Sequence, residues 1–152
     1  MHDPHSNKII TYRLSDPEKE QCLGRVSETL KEYKDILFGY AFGSFLDAGV
    51  FRDLDIGVFL SPDRLPHRPY AFEFGIENDL ERVLGQEFPV DVRILNSATV
   101  YFQYHAIRGV LLVDKDPDSR VEFITAVTSR YLDIQPVLRH FTKEAFANDA
   151  QP

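Results

Sequence analysis

Two aspartates, Asp53 and Asp55, stand one residue apart in the run FGSFLDAGVFRDLDIGVFL (Phe42 to Leu60). In an extended chain, residues two apart project from the same face, about 7 Å from each other along the strand. Leu54, Ile56 and Val58 then take the opposite face and the core. Carboxylates that close repel each other and lose hydration, so a pair set in an apolar run calls for a compensating charge. A hard divalent cation such as Mg²⁺, which takes oxygen ligands, supplies it. Two-metal sites of this kind hold the attacking and leaving oxygens of a phosphoryl transfer in line.

A second segment repeats the pattern. In PVDVRIL (Pro89 to Leu95), Val90, Val92 and Ile94 share one face, while Asp91 and Arg93 share the other. If this strand lies beside the first, Asp91 completes a carboxylate triad, as a metal ligand or as the base that takes a proton from an attacking hydroxyl. Arg93 would pair with that cluster or reach a phosphate. Upstream, Gly43-Ser44 closes an apolar strand. Glycine permits close backbone approach, N–H groups at such a turn cradle phosphate oxygens, and a serine hydroxyl adds a donor.

The elements that must position these residues follow from patterning. DPEKEQCLGRVSETLKEYK, from Asp16 to Lys34, reads as a helix with Asp16 as N-cap, Pro17 at its first position and apolar residues at helical spacing. ILFGYAFGS (Ile36 to Ser44) and DLDIGVFL (Asp53 to Leu60) read as buried strands, and the three prolines of SPDRLPHRP exclude regular structure after the second. A helix is expected over Tyr70 to Gly85 and a third strand over Phe88 to Asn96. Ser97 would cap a helix from Ala98 to about Ile107, and a fourth strand spans Gly109 to Asp114. The C-terminal helix, Ser119 to about Phe146, should be kinked or split by Pro136. Alternating strands and helices predict an α/β (α+β) domain, a small mixed β-sheet flanked by helices. Residues 1–16 are expected to be a flexible arm and 17–146 a single domain.

Composition narrows the function. Seventeen basic residues against 24 acidic ones give a net charge of −7, which argues against a nucleic-acid backbone or an anionic membrane as the main partner. Cys22 is the only cysteine, so an internal disulfide and a cysteine-based zinc site are excluded. With no apolar run of membrane-spanning length and no signal pattern, a cytoplasmic location is expected. His2, His5, His67, His105 and His140 show no metal-ligand spacing and read as surface or packing residues. Arg108, Arg120 and Arg130 read either as cleft or partner cations or as solvated charges, and Asp47 reads as a turn residue. The aromatic stretches YAFEFG and VYFQYHAI suit a core or a partner surface.

GSFLDAGVFRDLDIGVFL resembles the Gly-Ser…Asp-x-Asp signature of the DNA polymerase β-like nucleotidyltransferases, and the short length resembles their minimal nucleotidyltransferase (MNT) branch. VDVRILNSA is similar to the family's third-carboxylate strand. IRGVLLVDKD, with the later SR and RYLD, is similar to the C-terminal part of its antitoxin members, so the resemblance runs from about Ile36 to Phe141. It implies a polymerase β-like fold and metal-dependent transfer of a nucleoside monophosphate from a triphosphate to a hydroxyl. In HEPN–MNT pairs the MNT protein uses ATP and Mg²⁺ to adenylylate a tyrosine of a HEPN ribonuclease toxin. Carried over by position, Gly43 and Ser44 would hold the triphosphate. Asp53 and Asp55 would hold metal, and Asp91 would be the third catalytic and metal-binding carboxylate. ATP and a HEPN toxin are the partners this implies, with no direct contact to nucleic acid or membrane. Eight residues separate Ser44 from Asp53, fewer than is common in the family, which bears on nucleotide affinity or choice rather than on the metal site. The alternatives are a non-catalytic antitoxin that acts by binding and a small-molecule adenylyltransferase. The second is disfavoured by a length that leaves little room for another substrate domain.

Overall fold

Apolar side chains on both faces of the central strands demand helices above and below the sheet, and the structure, a computed structural model describing residues 8–149, supplies them. In chain order the elements are α1 (Asp16–Lys31), β1 (Ile36–Phe42), a 3-10 turn (Ser44–Leu46) and β2 (Leu54–Leu60). A second 3-10 turn (Pro62–Arg64), α2 (Pro69–Val83), β3 (Val90–Ile94), α3 (Val100–Ile107), β4 (Val110–Asp114) and α4 (Pro117–Asp149) follow. The sheet order is β3-β2-β1-β4, with β1 antiparallel to both β2 and β4 and β3 parallel to β2. The sheet is therefore mixed, as expected.

On one face Leu54, Ile56, Val58 and Leu60 pack with Val90 and Val92 against Val26 and Leu30 of α1 and Ile76 and Leu80 of α2. On the other, Phe38 and Tyr40 meet Ala106 of α3 and Phe123 and Val127 of α4. Phe59 stacks on Phe38 there, with ring centroids 4.6 Å apart. Asp55, Gly57 and Phe59 thus share the α3–α4 face by strand alternation. Gly57 is required because the Leu95 side chain occupies the space a Cβ would fill.

Sheet edges leave backbone N–H groups without partners, and here α2 supplies them. Glu73, Glu77 and Glu81, one helical turn apart, accept from Ile94, Val92 and Val90 N–H at 2.9, 2.9 and 3.0 Å. This carboxylate ladder fixes the edge strand that carries Asp91.

Several local expectations need correction. The N-cap of α1 is Ser15 rather than Asp16: its hydroxyl accepts from Glu18 N–H and Glu18 reciprocates to Ser15 N–H, a closed capping box. The helix also ends at Lys31 rather than Lys34. Thr99, accepting from Phe102 N–H, caps α3 in place of Ser97. Of the arm expected over 1–16, residues 1–7 lie outside the described residues. Tyr12 exchanges both backbone bonds with Phe51, at 2.8 and 2.9 Å, so the remainder is anchored. Finally, α4 runs unbroken through Pro136. The missing N–H frees one carbonyl, and the exposed stretch of helix leaves it open to solvent.

Candidate active site

Asp53 immediately precedes β2, and Asp55 and Asp91 are the second residues of β2 and β3. The parallel register pairs Asp55 with Asp91 directly, and the antiparallel one pairs Asp55 with Phe42, next to Gly43. One carboxylate oxygen from each of Asp53, Asp55 and Asp91 lies within 4.8 Å of the others, and all three residues are half-buried. Burial, then the charge of Asp91, raises Asp53, against the opposing pull of its hydrogen bond with Asp55, and Asp55 is pushed up to about 7 by burial, Asp53 and Asp91. Arg93 Nε donates to Asp91 Oδ1 at 3.2 Å and Arg52 acts on Asp53, but two guanidiniums do not balance three acids. An all-oxygen, excess-negative cluster of this span fits a divalent metal ion.

Beside the cluster, Gly43 has φ +86°, and a Cβ there would overlap Asp55 Oδ2. Only glycine lets this turn approach the carboxylate. The 3-10 turn that follows leaves Ser44 and Phe45 N–H ahead of its first bond, Leu46 N–H to Gly43 O. The loop is pinned from beneath by Lys19, which is 9% exposed. Its Nζ donates to Asp47 O at 2.8 Å and lies 5.6 Å from the ring centroids of both Phe45 and Phe51.

Helix α3 completes the cleft. Gly43, Ser44, His105 and Arg108 line one cavity of about 340 Å³. Asp55, Gly43, Tyr101, Phe102 and His105 line an adjoining one of about 320 Å³. Arg108 sits over the Tyr104 ring at 5.5 Å, and Tyr104 stacks on Tyr131 of α4 with centroids 3.7 Å apart. The cation is thereby held next to Ser44. Arg120 is elsewhere, bonded to Asp114 Oδ2 at 2.7 Å, and Arg130 donates to Ala126 O within its own helix. Among the described residues the acidic group does not include Asp47. His105, read from sequence as a surface or packing residue, and Lys19 are the site features that spacing did not reveal. Both enter through tertiary contacts, and neither has a sequence neighbour that marks it.

Residues 25–118, well over half of the chain, match the polymerase beta nucleotidyltransferase family, and the chain belongs to that family. It is accordingly a nucleotidyltransferase domain. No curated protein matches it. Solved structures of the same fold include a tri-AMPylated Shewanella oneidensis HEPN toxin in complex with MNT antitoxin, 18% identical with a TM-score of 0.64, covering 84% of this chain and 98% of that one. A toxin–antitoxin complex with AMP-PNP is 20% identical with a TM-score of 0.64, covering 82% and 98%. The MntA–HepT toxin–antitoxin is 17% identical with a TM-score of 0.62, covering 84% and 98%. At these identities the likeness is one of fold. Among the described residues no helix is long and apolar enough to cross a membrane.

Proposed function

We propose that residues 17–146 form a single metal-dependent adenylyltransferase domain that moves AMP from ATP to a tyrosine hydroxyl of a HEPN-family ribonuclease toxin, and that the protein acts in the cytoplasm as that toxin's antitoxin. The carrying observation is the carboxylate triad, with oxygens within 4.8 Å, set beside a turn where only glycine fits. Further support comes from the solved complexes, in which proteins of this fold are seen with HEPN toxin, AMP-PNP or an AMPylated product.

In this reading Asp53, Asp55 and Asp91 hold Mg²⁺, which when bound neutralises triphosphate charge and aligns the reacting oxygens. Gly43 and Ser44 receive the triphosphate through backbone N–H groups and the hydroxyl. Arg108 faces the same space and offsets its negative charge, and His105 lines it alongside. Asp91, on the strand farthest from the phosphate turn, takes the proton of the attacking phenol. Positioning and charge neutralisation supply most of the rate.

The functional test is the ribonuclease activity of the cognate HEPN toxin after incubation with this protein, ATP and Mg²⁺. The activity should be lost, and it should survive incubation with Asp53→Asn/Asp55→Asn. Inhibition that needs neither ATP nor the aspartates would instead indicate a binding antitoxin.

A further inference from the structure

A pocket of about 380 Å³ opens at the outer edge of β3, where Arg93, Ser97, Thr99 and Phe102 meet Tyr70 and Glu73 of α2. Small-ligand sites span about 300–1,000 Å³, so the space is of a useful size. Phe102 also lines the cavity that contains Asp55, so the two spaces share a wall. Across the sheet the order is therefore Gly43-Ser44 at the end of β1, Asp53 and Asp55 at β2, Asp91 on β3, and the pocket beyond Arg93.

In-line displacement places the entering and leaving oxygens on opposite sides of phosphorus. With pyrophosphate leaving toward Gly43-Ser44, the entering oxygen must come from the β3 side, past Asp91. The pocket lies on that side. Two aromatic rings, Tyr70 and Phe102, line it, together with Arg93, whose guanidinium is already held by Asp91. Its surroundings are also aromatic and open: Tyr70 is 81% exposed, Phe74, one turn further along α2, 62%, and Tyr101 56%. Exposed aromatic side chains around a pocket are characteristic of protein interfaces. A small-molecule acceptor would need no such rim.

From this order we infer that the pocket is the acceptor subsite, receiving a tyrosyl ring presented by a partner protein that docks on Tyr70 and Phe74. The assignment rests on the adenylyl-transfer reading above. In the step, the phenol oxygen bonds to the α-phosphorus as the bond from that phosphorus to the pyrophosphate oxygen breaks. The phenol proton passes to the Asp91 carboxylate, and pyrophosphate departs over Ser44.

The test is steady-state transfer to the cognate HEPN toxin, run beside titration of AMP-PNP with Mg²⁺. Tyr70→Ser/Phe74→Ser removes the exposed rim without touching the core, and Ser97→Trp fills the pocket. Each should raise the KM for toxin about tenfold or more, the scale of an interface hot spot, while AMP-PNP affinity changes by less than about twofold. A parallel fall in AMP-PNP affinity would mean that the pocket holds the nucleoside, and would overturn the inference. So would an unchanged KM for toxin in both variants while the wild type transfers AMP. If the wild type transfers none, the adenylyl-transfer reading fails and the subsite assignment falls with it.

Discussion

Asp55 carries the strongest electrostatic conflict in the cleft, and its titration gives a prediction with a definite sign. Its folded value, about 7, lies above the ordinary 3.8 because burial and two acidic neighbours disfavour ionisation. A raised acid takes up protons on folding. In metal-free protein its stabilising contribution is therefore complete below 3.8 and is lost as pH rises through about 7. Divalent metal must displace that proton, so Mn²⁺ affinity measured by calorimetry should fall about tenfold per unit as pH drops below 7. The rise in Tm on adding metal should likewise be larger at about pH 8 than at about pH 5.5. A metal affinity flat across this range would contradict the triad as the metal site. Gly43 gives a second residue-scale prediction. Gly43→Ala forces a Cβ onto Asp55 Oδ2, so AMP transfer should fall about a hundredfold or more in kcat/KM, the scale of a misplaced catalytic group. Backbone strain at that φ should cost about 1–3 kcal/mol, visible as a modest fall in Tm. Wild-type transfer by Gly43→Ala would show that Asp55 works from another position.

At the scale of elements, the ladder of Glu73, Glu77 and Glu81 makes α2 the clamp of the strand bearing Asp91. Glu77→Ala leaves Val92 N–H without its acceptor at a half-buried edge and should cost about 1–3 kcal/mol by denaturant unfolding, with weakened metal binding through a looser Asp91. Glu77→Gln keeps an acceptor oxygen and should recover most of both. Equal damage from Ala and Gln would show that the charge matters rather than the bond. Much of this level was legible in the chain. The two-residue period of Asp53 and Asp55 and of Asp91 and Arg93 announced one acidic face, and both strands form close to where alternation placed them. That the two strands are neighbours was not legible, because register is fixed by the parallel pairing of Leu54 with Val90 and by the α2 clamp, both long-range. The spacing of Glu73, Glu77 and Glu81 along α2 gains a meaning only once β3 is known to be an edge. His105 stayed hidden, and Arg108 was left open between cleft and solvent, for a related reason. Their place beside Ser44 depends on how α3 crosses the sheet. Pro136 does not split α4 because a helix on the surface tolerates the lost bond that a buried one would not.

For the molecule as a whole, a net charge of −7 coexists with a cleft in which Arg93, His105 and Arg108 face the carboxylates and the phosphate turn. Bulk acidity keeps polyanions at a distance, while Arg93, Arg108 and the metal-binding acids together suit a triphosphate bound with its metal. Helices on both faces hold the sheet, and its end carries the chemistry. The aromatic surface of α2 opens beside it. Transfer of AMP by this cleft is read directly by intact-mass spectrometry. The cognate HEPN toxin, mixed with this protein, ATP and Mg²⁺, should gain the mass of one or more AMP units, and none with Asp53→Ala/Asp55→Ala. A toxin whose mass never changes, held in a tight complex that survives the double substitution, would show that the protein acts by binding and not by AMP transfer.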